Sequence, residues 1–332
     1  MTIAVFGSLN MDLVTRVSRL PLPGETLMGT KFFTTPGGKG ANQAVAAAKL
    51  GVSTTLIGRV GNDDWGRSLL TGLQTYGVET SGIQIDSTIH SGVAIITVAE
   101  TGENQIIGVY GANACLDQSD VDRLIPVLND SKVLLLQLEV PIDSVKLAAQ
   151  AAQEADVIVI LDPAPVPKTS IIHLYPYIDL LIPNETEASQ LVGFEVNSVE
   201  TATKAAFVLH NQGAKAVIIK LGAQGAFYSQ EFYSQEFYSQ EFYSQEFYSE
   251  DNGSEIMTSF IPAFEVDAID TVAAGDAFAG GLAVAIVEGF PMIEAVRRGC
   301  AAGALATLTI GAQVAMTDRT GFDQFLHDRT VI

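Results

Sequence analysis

"SKVLLLQLEVPIDSVKLAAQAAQEADVIVILDPAP", residues 131–165, decides the fold class. Two runs of Val, Ile and Leu flank a stretch in which apolar residues recur at helical spacing. A strand that is apolar along its whole length is buried on both faces. Two such strands joined through a helix pair in parallel, because the helix carries the chain back across the sheet. The same rhythm extends in both directions. "TIAVFG" and "STTLIGRVG" lie upstream, the latter followed by the amphipathic "DDWGRSLLTGLQTYG". Downstream come "IDLLIPN", helices over "ETEASQLVG" and "SVETATKAAFVLHNQG", and "KAVIIKLG". The expectation is an α/β protein of three layers, helices on either side of a mainly parallel central sheet.

Two stretches depart from this rhythm. Residues within about 11–36 and 90–111 alternate apolar with polar and carry Pro-Gly and Thr-Gly turn signals. They read as antiparallel strands of a small second sheet, a natural lid over a crevice at the strand ends.

Composition narrows the function. Of 332 residues, 38 are acidic and 18 basic, and Lys and Arg cluster nowhere. A nucleic-acid partner is therefore not expected, since phosphate binding needs basic patches. The two cysteines, Cys115 and Cys300, are far apart and belong to no Cys/His cluster. Their number excludes a disulfide framework, and both read as reduced core thiols. "MTIAVFGSLN" lacks a basic leader, and no apolar segment reaches the length of a membrane span, so the expected location is the cytoplasm.

Residues 228–247 are Tyr-Ser-Gln-Glu-Phe written four times, followed by "YSEDN". A period of five suits neither regular structure. Successive copies turn by about 140° on a helix and swap faces on a strand, so no copy set presents one face to a core. Without those residues, "GAFYSEDNGSEIMTSF" is a hairpin turning at Asn-Gly. The segment reads as a tandem insertion in that hairpin, lengthening its arms or looping out, in a single domain spanning 1–332. An interaction segment built on its Tyr and Phe is the alternative.

Three stretches carry chemistry. In "DTVAAGDAFAGGLAVA" (270–285) a turn of small residues runs straight into an apolar helix. The N–H groups of Ala273, Ala274 and Gly275 can then approach an anion at the helix N-terminus. Asp276 in the first turn suits a base that takes a proton from a hydroxyl attacking phosphorus, although Asp after Gly is also an ordinary helix cap. "TTPGGKGANQAVAAAKLG" places glycines before a second helix, yet it is neither a Walker A loop nor GxGxxG. "GSLNMDLV" puts Asn10 and Asp12 after the first strand, where open α/β sheets bind ligands.

Together, "GGKGANQA" and "DTVAAGDAFAGGLA" resemble the two signatures of the ribokinase, or phosphofructokinase-B, family of sugar kinases. "LPGET", "GANACL", "QLEVP", "LDPAP", "IPNETEA", "KLGAQG" and "GAQ" follow in the family's order, and only the repeat has no counterpart. The resemblance implies an ATP-dependent kinase, most simply of D-ribose at O5. Another sugar, a keto-deoxy sugar acid or a nucleoside is the alternative acceptor, and a non-catalytic sensor or a scaffold acting through the repeat the alternative role.

By the same resemblance Asp276 is the general base, and Ala273, Ala274 and Gly275 form the anion hole. Asn10, Asp12, Gly38, Lys39, Asn42 and Glu139 contact the sugar. Asn184 and Glu187 organise Mg²⁺ and phosphates. Lys220, Gly222 and Gly225 belong to the nucleotide loop, and Cys300 stands where Asn or His often borders the adenine. Asp270, Val272, Ala306, Thr309, Gly311 and Ala315 match a monovalent-cation site, usually of K⁺. Lys220 replaces a common Thr, and Ala315 a frequent Ser. The open edges of the lid strands point to a homodimer through the lid.

Overall fold

Each long apolar run becomes a strand. A computed structural model of the protein describes residues 1–232, 245–249 and 255–329. Its first part contains β1 (Thr2–Phe6), β2 (Asn10–Val17), β3 (Lys31–Gly37), α1 (Lys39–Lys49), β4 (Thr54–Gly61), α2 (Asp64–Thr75), β5 (Val78–Glu79), β6 (Ile83–Asp86), β7 (Gly92–Ala99) and β8 (Asn104–Val109). Then follow α3 (Gln118–Leu128), β9 (Ser131–Leu136), α4 (Ile142–Glu154), β10 (Ile158–Leu161), β11 (Leu180–Leu181), α5 (Glu185–Val192), α6 (Val199–Asn211) and β12 (Ala216–Lys220). The last part holds β13 (Gly225–Phe232), β14 (Gln245–Ser249), β15 (Glu255–Pro262), α7 (Ala274–Val287), α8 (Met292–Ala306) and α9 (Arg319–Asp328).

The large sheet runs β14-β15-β13-β12-β11-β10-β9-β1-β4-β5, with β6 also on β4. From β12 to β4 every neighbouring pair is parallel; β12, β13, β15 and β14 pair antiparallel. Successive residues of a strand point to opposite faces. Ile3, Val5, Val133, Leu135 and Ile218 pack under α1, α2, α7, α8 and α9, while Ala4, Phe6, Leu134, Leu136 and Val217 pack under α3, α4 and α6. The result is the three-layer arrangement expected. Fully burying one such aliphatic side chain contributes about 1.5–3 kcal/mol.

The lid is a separate sheet in the order β3-β2-β7-β8. It consists of two antiparallel pairs, β2 with β3 and β7 with β8, joined through a parallel β2–β7 ladder. That central pairing follows from connectivity: β2 and β7 are separated by α1 and α2 and enter the lid from the same side of the body.

The first repeat copy, 228–232, is part of β13. Its Tyr228 and Ser229 are buried, and a His210 ring nitrogen meets Ser229 Oγ at 2.8 Å. The end of the fourth copy enters β14, on the opposite edge of β15. Copies within 233–244, and the expected Asn-Gly turn at 252–253, lie outside the described residues. Among the described residues no helix is long and apolar enough to cross a membrane.

Candidate active site

α1 and α7 lie side by side, and their N-termini open toward the same space. Glycine is required at the first of these. Gly38 has φ +90°, and a Cβ there would meet Asn10 N at 2.7 Å and Ser8 O at 2.8 Å. The tight turn brings Lys39 N within 3.0 Å of Glu139 Oε2, which also accepts from Ser8 Oγ and, at 3.4 Å, from Asn10 Nδ2. Asn113, fully buried, clasps Leu9 through both its N–H and C=O, and donates to Asn10 Oδ1 at 2.8 Å. Asn10, Asp12, Gly38, Lys39, Asn42 and Glu139 therefore sit around the start of α1.

α7 begins on Ala273, a non-glycine residue at φ +59° with no side-chain cap. This sparsely populated backbone starts the helix without a capping side chain. Ala274 N donates to Thr271 O at 3.3 Å, whereas Gly275 N is left without a bond among the described residues. Asp276 is 5% exposed. Its Oδ2 accepts from Asn42 Nδ2 at 2.9 Å and its Oδ1 from Gln43 Nε2 at 3.2 Å.

A cavity of about 710 Å³ spreads from this point. Lys39, Asp162, Asn184, Glu187, Lys220, Gly222, Gly225, Cys300 and the stretch Ala273–Asp276 all line it. Gly222 and Gly225 both adopt positive φ; a Cβ on Gly225 would run into Ile261 O. Asn184 and Glu187 cap α5 reciprocally: Asn184 Oδ1 accepts Glu187 N, and Glu187 Oε2 accepts Asn184 N, each at 2.8 Å. Lys220 Nζ pairs with Asp162 Oδ1 at 2.8 Å and points at Gly275, lying 3.4 Å from where a Cβ would stand.

The electrostatics are those of carboxylates crowded in a dry site. Burial pushes Asp276 up to about 6, with Lys39 opposing and Asp162 adding to the shift. Burial, then Glu139 and Asp276, push Asp12 up to about 7. Burial and then Asp162 raise Glu187. Lys39 is drawn down by burial, but the carboxylates of Asp276, Asp162, Glu139 and Glu187 more than offset this and raise it overall.

The six expected cation-site residues stand apart from the cavity lining. Asp270 Oδ2 accepts Gly311 N at 3.0 Å and its Oδ1 accepts Val272 N at 3.1 Å, which ties the lead-in of α7 to the segment containing Ala306, Thr309, Gly311 and Ala315. Among the described residues no three His, Cys, Asp or Glu side chains converge as metal ligands, so backbone carbonyls would have to hold a cation there. Cys115 and Cys300 are both free and half-buried, and Cys300 packs against the core. Cys300 faces the cavity from α8, where burial pushes its thiol up to about 12 and makes it a poor nucleophile.

Sequence reasoning overlooked Ser8, Gln43, Asn113, Gln137, Asp162 and Gln313. Asp162 had a visible signal, a carboxylate at the C-terminal end of a buried strand. Asn113, Gln137 and Gln313 lie within the motifs "GANACL", "QLEVP" and "GAQ", and Gln43 next to Asn42, but nothing in those stretches assigned these amides a role.

The whole chain has known counterparts. Residues 2–319 match the pfkB family of carbohydrate kinases. A ribokinase of Haemophilus influenzae is 39% identical over 325 residues, 98% of each chain. The crystal structure of a ribokinase from Thermotoga maritima superposes with a TM-score of 0.82 at 34% identity, covering 98% of this chain and 99% of that one. An Arabidopsis thaliana ribokinase complexed with ribose and ATP gives 0.81 at 32% identity, covering 98% of each.

Proposed function

Because this chain belongs to the pfkB family of carbohydrate kinases, we propose that it transfers the γ-phosphoryl group of ATP to O5 of D-ribose, with Asp276 as general base. The observation that carries this reading is the position of Asp276. One buried carboxylate lies on an uncapped helix N-terminus, between the polar cluster around Glu139 and the cavity that holds the nucleotide loop.

Each part has a role in that reaction. Asn10, Asp12, Lys39, Asn42 and Glu139 offer paired donors and acceptors to adjacent sugar hydroxyls. The hydroxyl at O5 gives its proton to Asp276 as the oxygen forms its bond to phosphorus, and the bond to the ADP oxygen breaks. Gly275 N–H, with Ala273 and Ala274 beside it, donates to the phosphoryl oxygens as negative charge gathers there. Lys220, 2.8 Å from Asp162, adds a positive charge beside the same spot. Asn184 and Glu187, with Asp162 nearby, form a hard oxygen-donor set that fits Mg²⁺ through water, and burial and the Asp162 carboxylate raise Glu187. Bound there, Mg²⁺ supplies neutralisation of the nucleotide phosphates.

The proposal extends to K⁺ held by carbonyls of the Asp270–Val272 and Ala306–Ala315 segments, and to one kinase domain that dimerises through its lid. The lid supports the latter: every residue of β8 is exposed, and Ile95, Ile106, Ile107 and Phe32 present large apolar surface.

ADP release with Mg-ATP and D-ribose, beside fructose, adenosine and a blank without sugar, tests the acceptor. Ribose should give the fastest turnover, with phosphorus on O5 by ³¹P NMR. Faster turnover on another acceptor would displace ribose and leave the kinase.

A further inference from the structure

Asp276 is clamped by two adjacent amides, and each of those is held by a glutamine from elsewhere in the fold. On one side Gln313 Nε2 donates to Asn42 Oδ1 at 3.3 Å, and Asn42 Nδ2 to Asp276 Oδ2 at 2.9 Å. On the other, Gln137 Nε2 donates to Gln43 Oε1 at 2.6 Å, and Gln43 Nε2 to Asp276 Oδ1 at 3.2 Å and to Asp162 Oδ2 at 3.1 Å. Gln43, Gln137 and Gln313 are at most 2% exposed. Gln137 follows β9, and Gln313 lies in the segment after α8.

The polarity of both chains is forced. A carboxylate only accepts, so Asn42 and Gln43 must turn their NH₂ groups toward Asp276. Their oxygens then face outward, where only a donor satisfies them. Gln137 and Gln313 supply that donor, and the Oε1 of each finds no partner among the described residues. A buried acceptor without a partner is destabilising, and it is rare. Flipping either glutamine would set oxygen against oxygen. Two outer residues thus carry an unfavourable arrangement whose one beneficiary is the orientation of the inner amides.

We propose that Gln137 and Gln313 are positioning residues for phosphoryl transfer, each locking one of the two amides that aim the Asp276 carboxylate at the acceptor hydroxyl. The inference rests on the reading of Asp276 as the base. Without the outer donors, Asn42 and Gln43 can rotate and the carboxylate can turn toward Lys39. Gln313 also connects the base to the segment tied to Asp270 through Gly311, so displacement of that segment reaches Asp276 across two hydrogen bonds.

The test uses the full chain with Gln137→Met and Gln313→Met, near-isosteric changes that remove the donor and the orphaned oxygen together. Where methionine is not tolerated, the leucine variant carries the same test. Each variant should lose about tenfold in kcat, in line with the sensitivity of catalysis to misplacement. KM for ATP should stay within twofold in both variants and KM for ribose within twofold in Gln137→Met, and Tm should change little, because each variant removes one orphaned oxygen and strands another. The acid limb of kcat should move to higher pH, because the carboxylate has lost donors that favour its charged form. The other charged groups facing Asp276, namely Lys39, Asp162, Asp12, Glu139 and Lys220, are unchanged in both variants. Unchanged kcat in both, with Asp276→Asn inactive, would overturn the inference and leave the base. A fall in kcat matched by a markedly lower Tm and a higher KM for ATP would make both residues merely structural and overturn it as well. Normal turnover in Asp276→Asn would remove the base itself.

Discussion

The N-termini of α1 and α7 start alike and end in opposite chemistry. Both helices begin after a residue of positive φ, Gly38 and Ala273, and neither takes a side-chain cap from that residue. At α1 the protein fills the positive end itself: Glu139 accepts Lys39 N and gathers Ser8 and Asn10 around it. At α7 no side chain caps the end: Asp276 in the first turn is bound by Asn42 and Gln43 instead, and Gly275 N, on the cavity wall, has no bond among the described residues. A helix N-terminus attracts anions wherever it occurs. Filled from within, it becomes a rigid polar wall; left open, it becomes a place for a ligand's charge.

The comparison breaks most directly by making α7 resemble α1. Ala273→Asp sets a carboxylate at the N-cap, and Asp tolerates positive φ. Turnover should fall by about 10²-fold or more, the scale of losing one anion-hole donor. Stability should fall slightly, since the change adds a carboxylate to a site already crowded with them and the left-handed backbone is not that of a side-chain cap. Steady-state kinetics with a melting curve checks both, and turnover within twofold of wild type would mean the α7 terminus is not the phosphoryl site. The converse change, Glu139→Gln, weakens the filling of α1. KM for ribose should rise about tenfold, the scale of one charged hydrogen bond, with a smaller change in kcat. An unchanged KM would take Glu139 out of the sugar site.

Asp276, the proposed base, sharpens the contrast through pH. Its carboxyl, raised to about 6 from an ordinary value of 3.8, would have to be ionised to take a proton, so kcat/KM should fall as pH drops through about 6. The folded state also holds this proton more tightly than the unfolded chain does. The stability deficit from the raised value is therefore full above pH 6 and vanishes as pH falls from 6 toward 3.8. Relative to wild type, Asp276→Asn should gain about 2 kcal/mol between pH 4 and pH 8. Denaturant unfolding at the two values tests this, and a constant difference would contradict it.

The smallest effect is expected at the repeat. Removing 228–247 sets Tyr248 and Ser249 directly after Phe227, the same residue types that follow it now. Values of kcat and KM should stay within twofold. A shortened protein that folds but has lost activity would give the repeat a role in the chemistry.

Much of this was legible beforehand, for definable reasons. β1, β4, β9, β10 and β12 are buried on both faces and so stand out as continuous apolar runs. α3 was not anticipated. Its acidic start and Pro126 resemble a loop, yet Asp117 and Asp120 form a capping box and Arg59 pairs with Asp120 from β4. The parallel β2–β7 ladder joins strands about eighty residues apart, and no local pattern reports it. At the site, the glycines and every carboxylate but Asp162 were visible because few roles suit them. The Gln137–Gln43 and Gln313–Asn42 pairs were hidden, since an amide acquires meaning only from what it faces.

The most direct test is single-turnover transfer from ATP to ribose by wild type and Asp276→Asn, with ATP affinity measured separately by calorimetry. The variant should bind ATP within about twofold of wild type while transfer slows by about 10²–10⁴-fold, the usual contribution of a general base. Transfer at a near-normal rate would contradict the assignment of Asp276, and with it the account of why the end of α7 is left open.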